Sequence, residues 1–479
     1  MPPRGFGRRG RERMHMETFV RSASTVRARK YDVVVCGGGT SGLFAALAAA
    51  RNGASTALVE HKGYIGGIAA EGGCGLHSFY NLYKAFPDVQ KKKVIRGLPE
   101  EFIDRLTAMG GASGHNETLM NYGYDSDTLC VDVEIYKQLA NTMLAEAGVD
   151  VLLNTMAVDT DVTDGHINAV FTESHEGCEA LVAKVYIDAT GFGDLSARAG
   201  AKFLECSDYA VANSIGVAGI DIDAYYQCLK ERGALKEYAL GKRGGVKGKL
   251  IRVDGDWEKL NPAWAKRAKE IGMQTVTTTL HDSYFMFIKL NVVMPVSPLY
   301  RDALADAEIE LRRRQAEAIR LLREAIPGGE HAFITRTSPM ATIRRARCIQ
   351  CDYDLSNEEI LNATHFRDDV FAYGFHDEAP SMQVRNGSTY GFPLRAMQVH
   401  DCSNLYAIGM MVTSNHDAHM STRNTVSCMA QGQAAGTAAA LAAGAGFGSI
   451  RDLPYGMLKD RLLRDGVYFE EEPLTVSDR

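Results

Sequence analysis

Apolar positions along this chain follow two periods, and the changes between them mark its elements. Residues 32–36 form a short, mostly apolar run that predicts a buried strand. An Ala-rich stretch after it predicts a helix, and residues 56–59 predict a second strand that ends at Glu60. Residues 131–146 place apolar side chains at helical spacing, and Gly148 ends that helix. Three strand-like runs follow at 150–154, 167–173 and 180–188, with turns at Asp164-Gly165 and Glu176-Gly177. The pattern then changes. Strand-like runs occur at 276–279 and 284–294, the second stopped by Pro295. A long amphipathic helix, 302–325, is stopped by Pro327-Gly328-Gly329. Residues 233–252 mix Lys and Arg with Gly and read as a mobile insertion or lid, solvated loop being the preferred role. Near the C-terminus the first style returns, with a short strand at 404–408, then Gly409, then a helix over 426–443. No internal repeat is visible.

The first strand enters a turn carrying Gly37, Gly39 and Gly42 in G-x-G-x-x-G spacing. Gly37 permits the tight turn, Gly39 lets backbone approach a pyrophosphate, and Gly42 lets helix and strand pack closely. Unpaired N–H groups at the helix start would then face the phosphates. Glu60 falls where an acid accepts hydrogen bonds from a ribose hydroxyl. Strand, turn, helix and acid in this order predict dinucleotide binding. The fold expected is α/β: a discontinuous Rossmann-like domain with an inserted α+β substrate domain. Its parts are a basic leader at 1–30, the nucleotide domain at 31–204, the substrate domain at 205–400, and the remainder of the nucleotide domain with a tail at 401–479.

Composition changes this picture little. At 479 residues, 46% hydrophobic and 23% charged, the chain is an ordinary globular sequence with room for about two domains. No apolar run reaches membrane-spanning length. Ten scattered cysteines without a paired framework suggest reduced thiols and a cytoplasmic setting. Residues 1–30 hold nine Lys or Arg against Glu12 and Glu17, about +7. The body therefore carries about −13, which argues against nucleic acid as a partner. The leader reads as a disordered segment, or as sequence upstream of a start at Met14 or Met16.

Three blocks make the chain similar to FAD-dependent oxidoreductases related to the fumarate reductase and succinate dehydrogenase flavoproteins. They are G-G-G-T-S-G with E-H-K-G-Y-I-G-G, then I-D-A-T-G-F-G-D-L, then N-L-Y-A-I-G-M-M-V-T-S-N-H-D-A-H-M-S-T-R-N leading into M-A-Q-G-Q-A-A-G. A fainter block is R-R-A-R-C-I-Q-C-D-Y-D-L. The resemblance implies that Gly37, Gly39, Thr40, Ser41 and Gly42 hold the FAD pyrophosphate and Glu60 the adenosine ribose, with His61 a further cofactor contact. It places Val158 at the adenine, Ala189, Thr190 and Gly191 at the diphosphate, and Gly66, Gly67 and Ile68 beside the flavin. Gly409, Asn424 and Val426 would meet the flavin ring, the helix N-terminus stabilising the anionic reduced form. Relatives of this kind can carry a flavin-linked His before such an A-A-E-G-G stretch. Gly66 stands at that position here, which implies non-covalent FAD.

His416 and Arg423 lie in the third block. His416 suits proton transfer or a loop hydrogen bond, and Arg423 a carboxylate clamp or charge stabilisation. His376 beside Asp377 is a further catalytic candidate. His416 and His419 make H-x-x-H, but without further ligands no metal is expected. Arg344, Arg345 and Arg347 could bind an acidic substrate or pair with acids such as Asp352 and Asp354. Cys348 and Cys351 read as buried thiols rather than a redox pair. The expected activity is hydride transfer between flavin N5 and a small organic molecule, with an anion among the candidates. A tRNA-modifying flavoprotein, or a flavoprotein subunit that relies on a partner for electrons, stands as the alternative. No second G-x-G-x-x-G is present, so the electron donor or acceptor stays open, as does homo-oligomerisation.

Overall fold

The structure, a computed structural model, describes residues 25–73, 75–120 and 127–477. Most of the basic leader, residues 1–24, lies outside the described residues, while its end joins the first strand, Arg27–Cys36.

That strand is the centre of a seven-stranded sheet. It pairs in parallel with Thr56–Val59 on one side and with Gly177–Asp188 on the other. Asp150–Leu152 extends the sheet in parallel beyond Thr56–Val59, and Leu405–Ala407 adds in parallel to Gly177–Asp188. The last strand arrives from the far end of the chain, so the domain is discontinuous. Met156–Thr163, His166–Ser174 and Gly177–Asp188 form an antiparallel meander. Its first strand had no signal in the apolar pattern, because its alternation reads polar on one face and mixed on the other. The sheet strands are fully buried at Val33, Val34 and Val35, as a parallel sheet covered on both faces requires.

Two helices cover one face by touching backbone to backbone. In Thr425–Ala445, a Cβ on Gly432 or Gly436 would stand 2.2 Å from the Ser41 carbonyl oxygen or 2.1 Å from that of Ala45. The small-residue composition of this helix therefore serves close packing on the glycine-turn helix, Thr40–Arg51. Val133–Ala147 begins at an Asp132 cap that accepts from the Glu134 and Ile135 amides and ends at Gly148 in the left-handed region.

A second core lies between residues 211 and 341. Val211–Ala218 runs between Tyr284–Val292 and Phe333–Thr337, all antiparallel, and the helix Arg301–Ala325 belongs to the same core. The segment read as a solvated insertion is instead an ordered hairpin, Leu235–Arg243 with Val246–Gly255. Buried Arg243 ties it down by donating to Asp223, Asp282 and the Leu250 carbonyl. Arg243, Arg252 and Glu237 are buried and paired, whereas Lys236, Lys247 and Lys249 are exposed.

The division of the chain also differs from the expected one. Residues 349–412 contribute to the first core, so the inserted unit ends near 345 rather than 400. Leu76–His77, Asn116–Leu119 and Asp127–Leu129 pair into a six-stranded sheet with the hairpin, while Leu76 and Leu129 stay in the first core. Short runs of this kind have no period of their own, and only pairing defines them. Among the described residues no helix is long and apolar enough to cross a membrane.

Candidate functional site

A cavity of about 510 Å³ opens between the carboxyl ends of the parallel strands and the second core. This is where open α/β sheets place ligands. At one end its lining comes from Cys36, Gly37, Gly39, Thr40 and Ser41. The three turn glycines are not equivalent. A Cβ on Gly37 would lie 2.3 Å from the Ala189 oxygen, and one on Gly42 only 1.8 Å from the Gly37 oxygen. A Cβ on Gly39 would meet nothing within 4 Å and would fill the cavity instead. Two glycines therefore serve the chain, and the third leaves space for a ligand. Gly39 caps its helix without any side-chain hydrogen bond, so the first-turn N–H groups are left for that ligand. Gly42 itself is not part of the lining. This cradle of backbone donors beside an empty Cβ position fits a pyrophosphate.

Glu60, His61 and Lys62 continue the wall. The Glu60 carboxylate accepts from the Gly38 amide at 2.7 Å and the Lys62 amide at 2.8 Å, with His61 Nδ1 at 3.0 Å. Burial raises this carboxyl, but contacts with His61 and the Lys62 amide outweigh it and leave it below the usual range. It is thus an ionised acceptor at the rim. Ala189, Thr190 and Gly191 line the cavity directly beside the glycine turn. Their turn is wound on Asp188, a fully buried carboxylate that accepts from the amides and hydroxyls of Thr190 and Ser196 at 2.7–3.0 Å. Val158 does not reach the cavity; Thr155, Met156 and Ala157 do, and the Val158 carbonyl accepts from Arg198.

Further along, Gly67 and Ile68 line the wall, whereas Gly66 packs against Tyr136 and Ala70 behind it. Gly409 lines the cavity with φ +90°, its amide donating to Gln431 Oε1 at 2.8 Å. Gln431 in turn donates to the Thr422 carbonyl, so one buried amide holds this loop to the C-terminal helix. That helix starts at the Asn424 cap, and its first-turn residues Thr425 and Cys428 face the cavity, while Asn424 and Val426 stay behind. The Cys428 thiol donates to the Arg423 carbonyl, and burial pushes it up to about 12.

The chemical candidates separate. Arg423 lines the cavity and is held by Asp377, with Tyr209 stacked at 5.5 Å from its guanidinium carbon. His416 does not line it. Its side chain is 45% exposed, paired with Asp208 at 2.9 Å and stacked on Tyr209. His376 is buried outside the lining, with Nε2 on Asn357 Oδ1 at 3.2 Å and Nδ1 accepting from the Glu378 amide at 3.1 Å; burial lowers its basicity. His419 is fully buried between the Tyr209 hydroxyl and the Met410 carbonyl, the latter accepting at 2.8 Å. Burial, with Arg423 and Arg345 nearby, lowers its pKa to about 3, so it is a neutral imidazole. Among the described residues no cluster of His, Cys, Asp and Glu could hold a metal.

The arginine cluster splits as well. Arg345 is buried, bonding Asp208 and the Ser414 carbonyl, and Arg347 bonds Asp194 at 2.8 Å and the Phe192 carbonyl. Only Arg344 reaches the cavity. The acids expected as partners are otherwise engaged, Asp352 by Arg451 and His400, Asp354 by Ser414. Cys348 and Cys351 are free thiols, both pushed up by burial, Cys348 to about 12.

Sequence reasoning missed the wall contributed by the second core. Ala212, Ser214, Phe287, Lys289, Ser338 and Met340 line it. The signal was present: residues 287 and 289 share one phase of the 284–294 alternation, but no motif marks that phase as the wall of a site. Arg336 was also missed. It donates to the Glu71 and Gly72 carbonyls at 2.7 and 2.8 Å, the C-terminal carbonyls of the short helix Ile68–Gly72, and so clasps that helix to the second core.

No curated relative matches the chain. Solved structures with a similar arrangement include a geranylgeranyl bacteriochlorophyll reductase-like protein from Thermoplasma acidophilum (14% identity, TM-score 0.45, 91% of this chain and 86% of that one). The p-nitrophenol 4-monooxygenase PnpA from Pseudomonas putida DLL-E4 aligns at 12% identity and TM-score 0.44, over 91% and 84%. The myxobacterial chondrochloren halogenase CndH aligns at 13% and 0.42, over 91% and 78%. Such low scores carry no weight for activity. A family model does: residues 32–462 match that of the FAD dependent oxidoreductases, and the chain belongs to this family of flavin enzymes.

Proposed function

We propose that the protein holds FAD non-covalently and transfers hydride between flavin N5 and a small organic substrate lodged against the second core. The observation that carries this reading is the continuous cavity, bounded by the glycine turn and Glu60 at one end and by strands of the second core at the other. The N–H groups after Gly39 would hold the diphosphate, Glu60 and His61 the ribose, and Gly67, Ile68, Gly409 and the start of the C-terminal helix the flavin ring. The dipole of that helix favours negative charge at its first turn. Arg423, kept in place by Asp377, presents a cation to the same space, suited to a carboxylate or to charge on the reduced ring. His416, with its imidazole on the outer side of Tyr209, serves this residue cluster from solvent rather than touching substrate.

The residues at hand support non-covalent binding. The turn Gly66–Ile68 offers no nucleophilic side chain, and the Cys428 thiol is held protonated. Kinship with the fumarate reductase and succinate dehydrogenase flavoproteins fits the three sequence blocks. Electrons would come from the substrate, a transient nicotinamide or a partner protein, and the acidic body disfavours nucleic acid. The test is direct. Purified protein should be yellow with about one FAD per chain, the expectation for one nucleotide cradle per fold. Acid precipitation should release the flavin into the supernatant, and colour retained in the pellet would overturn the non-covalent reading.

A further inference from the structure

The wall supplied by the second core has one polar group whose role the fold does not explain. Ser214 and Lys289 are directly paired on neighbouring antiparallel strands, so their side chains share a face. That face looks toward the first unit, because the Ser214 hydroxyl donates to the Gly72 carbonyl at 2.7 Å. The polar groups around Lys289 are used by the protein. Ser338 shares a hydrogen bond with Ser214, Asn213 donates to the Ser338 carbonyl and accepts from Gln315, and Thr342 donates to the Ala212 carbonyl. The Lys289 ammonium makes no hydrogen bond or ion pair among the described residues, although the residue lines the cavity.

The acids that line the same cavity do not neutralise it. Glu60 is met by His61, Glu71 by Lys62 and Asp194 by Arg347. A second cation, Arg344, lines the cavity with it. Phe287 precedes Lys289 on the same strand face, and Met340, Ala341 and Ile343 give an apolar surround. An ammonium without a counter-ion, next to an aromatic ring in a recessed space, is a receptor for an anion with an apolar body.

We propose that Lys289 binds the carboxylate of the substrate, which is a small carboxylic acid whose planar apolar part lies against Phe287. This rests on the reading of the cavity as the FAD and substrate site, and it assigns the substrate's charge and the residue that selects it. Lys289 is a specificity-determining residue; the redox step belongs elsewhere.

The test uses the FAD-loaded enzyme with benzoate as probe and benzamide as its neutral counterpart. Flavin content is measured first by acid release, since a wild-type protein without flavin would overturn the cofactor reading rather than this one. Binding is then followed by the shift of the flavin absorption band and by titration calorimetry. Benzoate should bind wild type and benzamide far more weakly. Lys289→Met keeps the length of the side chain and should weaken benzoate roughly ten- to hundredfold, the loss expected for one charged hydrogen bond, with flavin content unchanged. Lys289→Arg should keep benzoate within about tenfold of wild type, since the charge is retained. Equal benzoate affinity in Lys289→Met, benzamide binding as tightly as benzoate, or no benzoate binding to the flavin-loaded wild type would each overturn the proposal.

Discussion

The two ends of the cavity are built from different parts of the chain's chemistry. The nucleotide end is made of backbone: the open position at Gly39, the first-turn N–H groups after it, and the turn wound on Asp188. The far end is made of side chains standing on antiparallel strands, with Phe287 and Lys289 on one strand and Ser214 on its neighbour. Backbone recognition tolerates few residues, because only a missing Cβ leaves room for a phosphate. Side-chain recognition tolerates many, because a strand keeps its geometry whatever alternate residues it carries. On the proposed reading the cofactor is thus tied to the fold, and the substrate to a face that can change without disturbing it.

The sharpest way to break this comparison is at the glycine turn. Gly39→Val should abolish FAD binding while leaving apo-protein thermal stability near wild type, since the new Cβ meets only the cavity. Gly42→Val should instead destabilise the apo-protein, because its Cβ would lie 1.8 Å from the Gly37 oxygen. Flavin absorbance and thermal unfolding of both variants separate the two effects. Full flavin occupancy in Gly39→Val would show that this turn does not hold the phosphates.

The next largest effect concerns the cavity cation. Once a substrate is in hand, Arg423→Ala should slow flavin reduction or reoxidation by roughly ten- to hundredfold, the loss of a charged hydrogen bond to substrate or reduced ring. His416→Ala should cost less than about tenfold, since its half-exposed side chain stands outside the cavity. Rapid mixing reads both rates, and a larger loss in His416→Ala would return the proton-transfer role to that residue.

The clasp between the two ends has an effect of similar size, read as stability rather than rate. Arg336→Ala removes two charge-assisted bonds to carbonyls of the helix Ile68–Gly72. It should lower stability by about 1.5–3 kcal/mol and loosen the flavin-side turn while the glycine cradle stays intact. Denaturant unfolding measures the loss. Unchanged FAD affinity together with unchanged stability would show that the ends are not coupled through this residue.

Acid sensitivity builds only over several pH units and leaves the neutral-pH protein unaffected. His419 has its pKa lowered to about 3 from an ordinary value of 6.5. Between these values the unfolded chain binds a proton that the native one does not, so stability rises with pH and falls on acidification. The contribution is complete above pH 6.5 and is lost progressively toward pH 3. Its slope is about 1.4 kcal/mol per pH unit. His419→Asn should flatten the acid limb of a stability-against-pH curve, and an unaltered limb would assign that limb to other groups.

Much of the nucleotide end was legible because its constraints are local. The spacing of Gly37, Gly39 and Gly42, and Glu60 at the next strand end, follow from a single strand–turn–helix unit. The return of Leu405–Ala407 to the same sheet was legible from the change of style along the chain. Site candidates drawn from residue type alone fared differently. Arg344, Arg345 and Arg347 lie within four residues, yet one faces the cavity and two are spent on Asp208 and Asp194. The imidazoles of His376, His416 and His419 carry the same chemistry in sequence and three environments in space.

The amino-acid sequence by itself determined the glycine turn, the buried parallel strands and the discontinuous nucleotide domain, because period, turn chemistry and the absence of a Cβ act over a few neighbouring residues. Only the tertiary structure decided that Lys289 and Phe287 line the cavity, that Arg336 clasps Ile68–Gly72, and that residues 349–412 belong to the first core. Those outcomes depend on which strand pairs with which and on which charges find partners. Pairing and desolvation join residues far apart in the chain, and no local pattern records them.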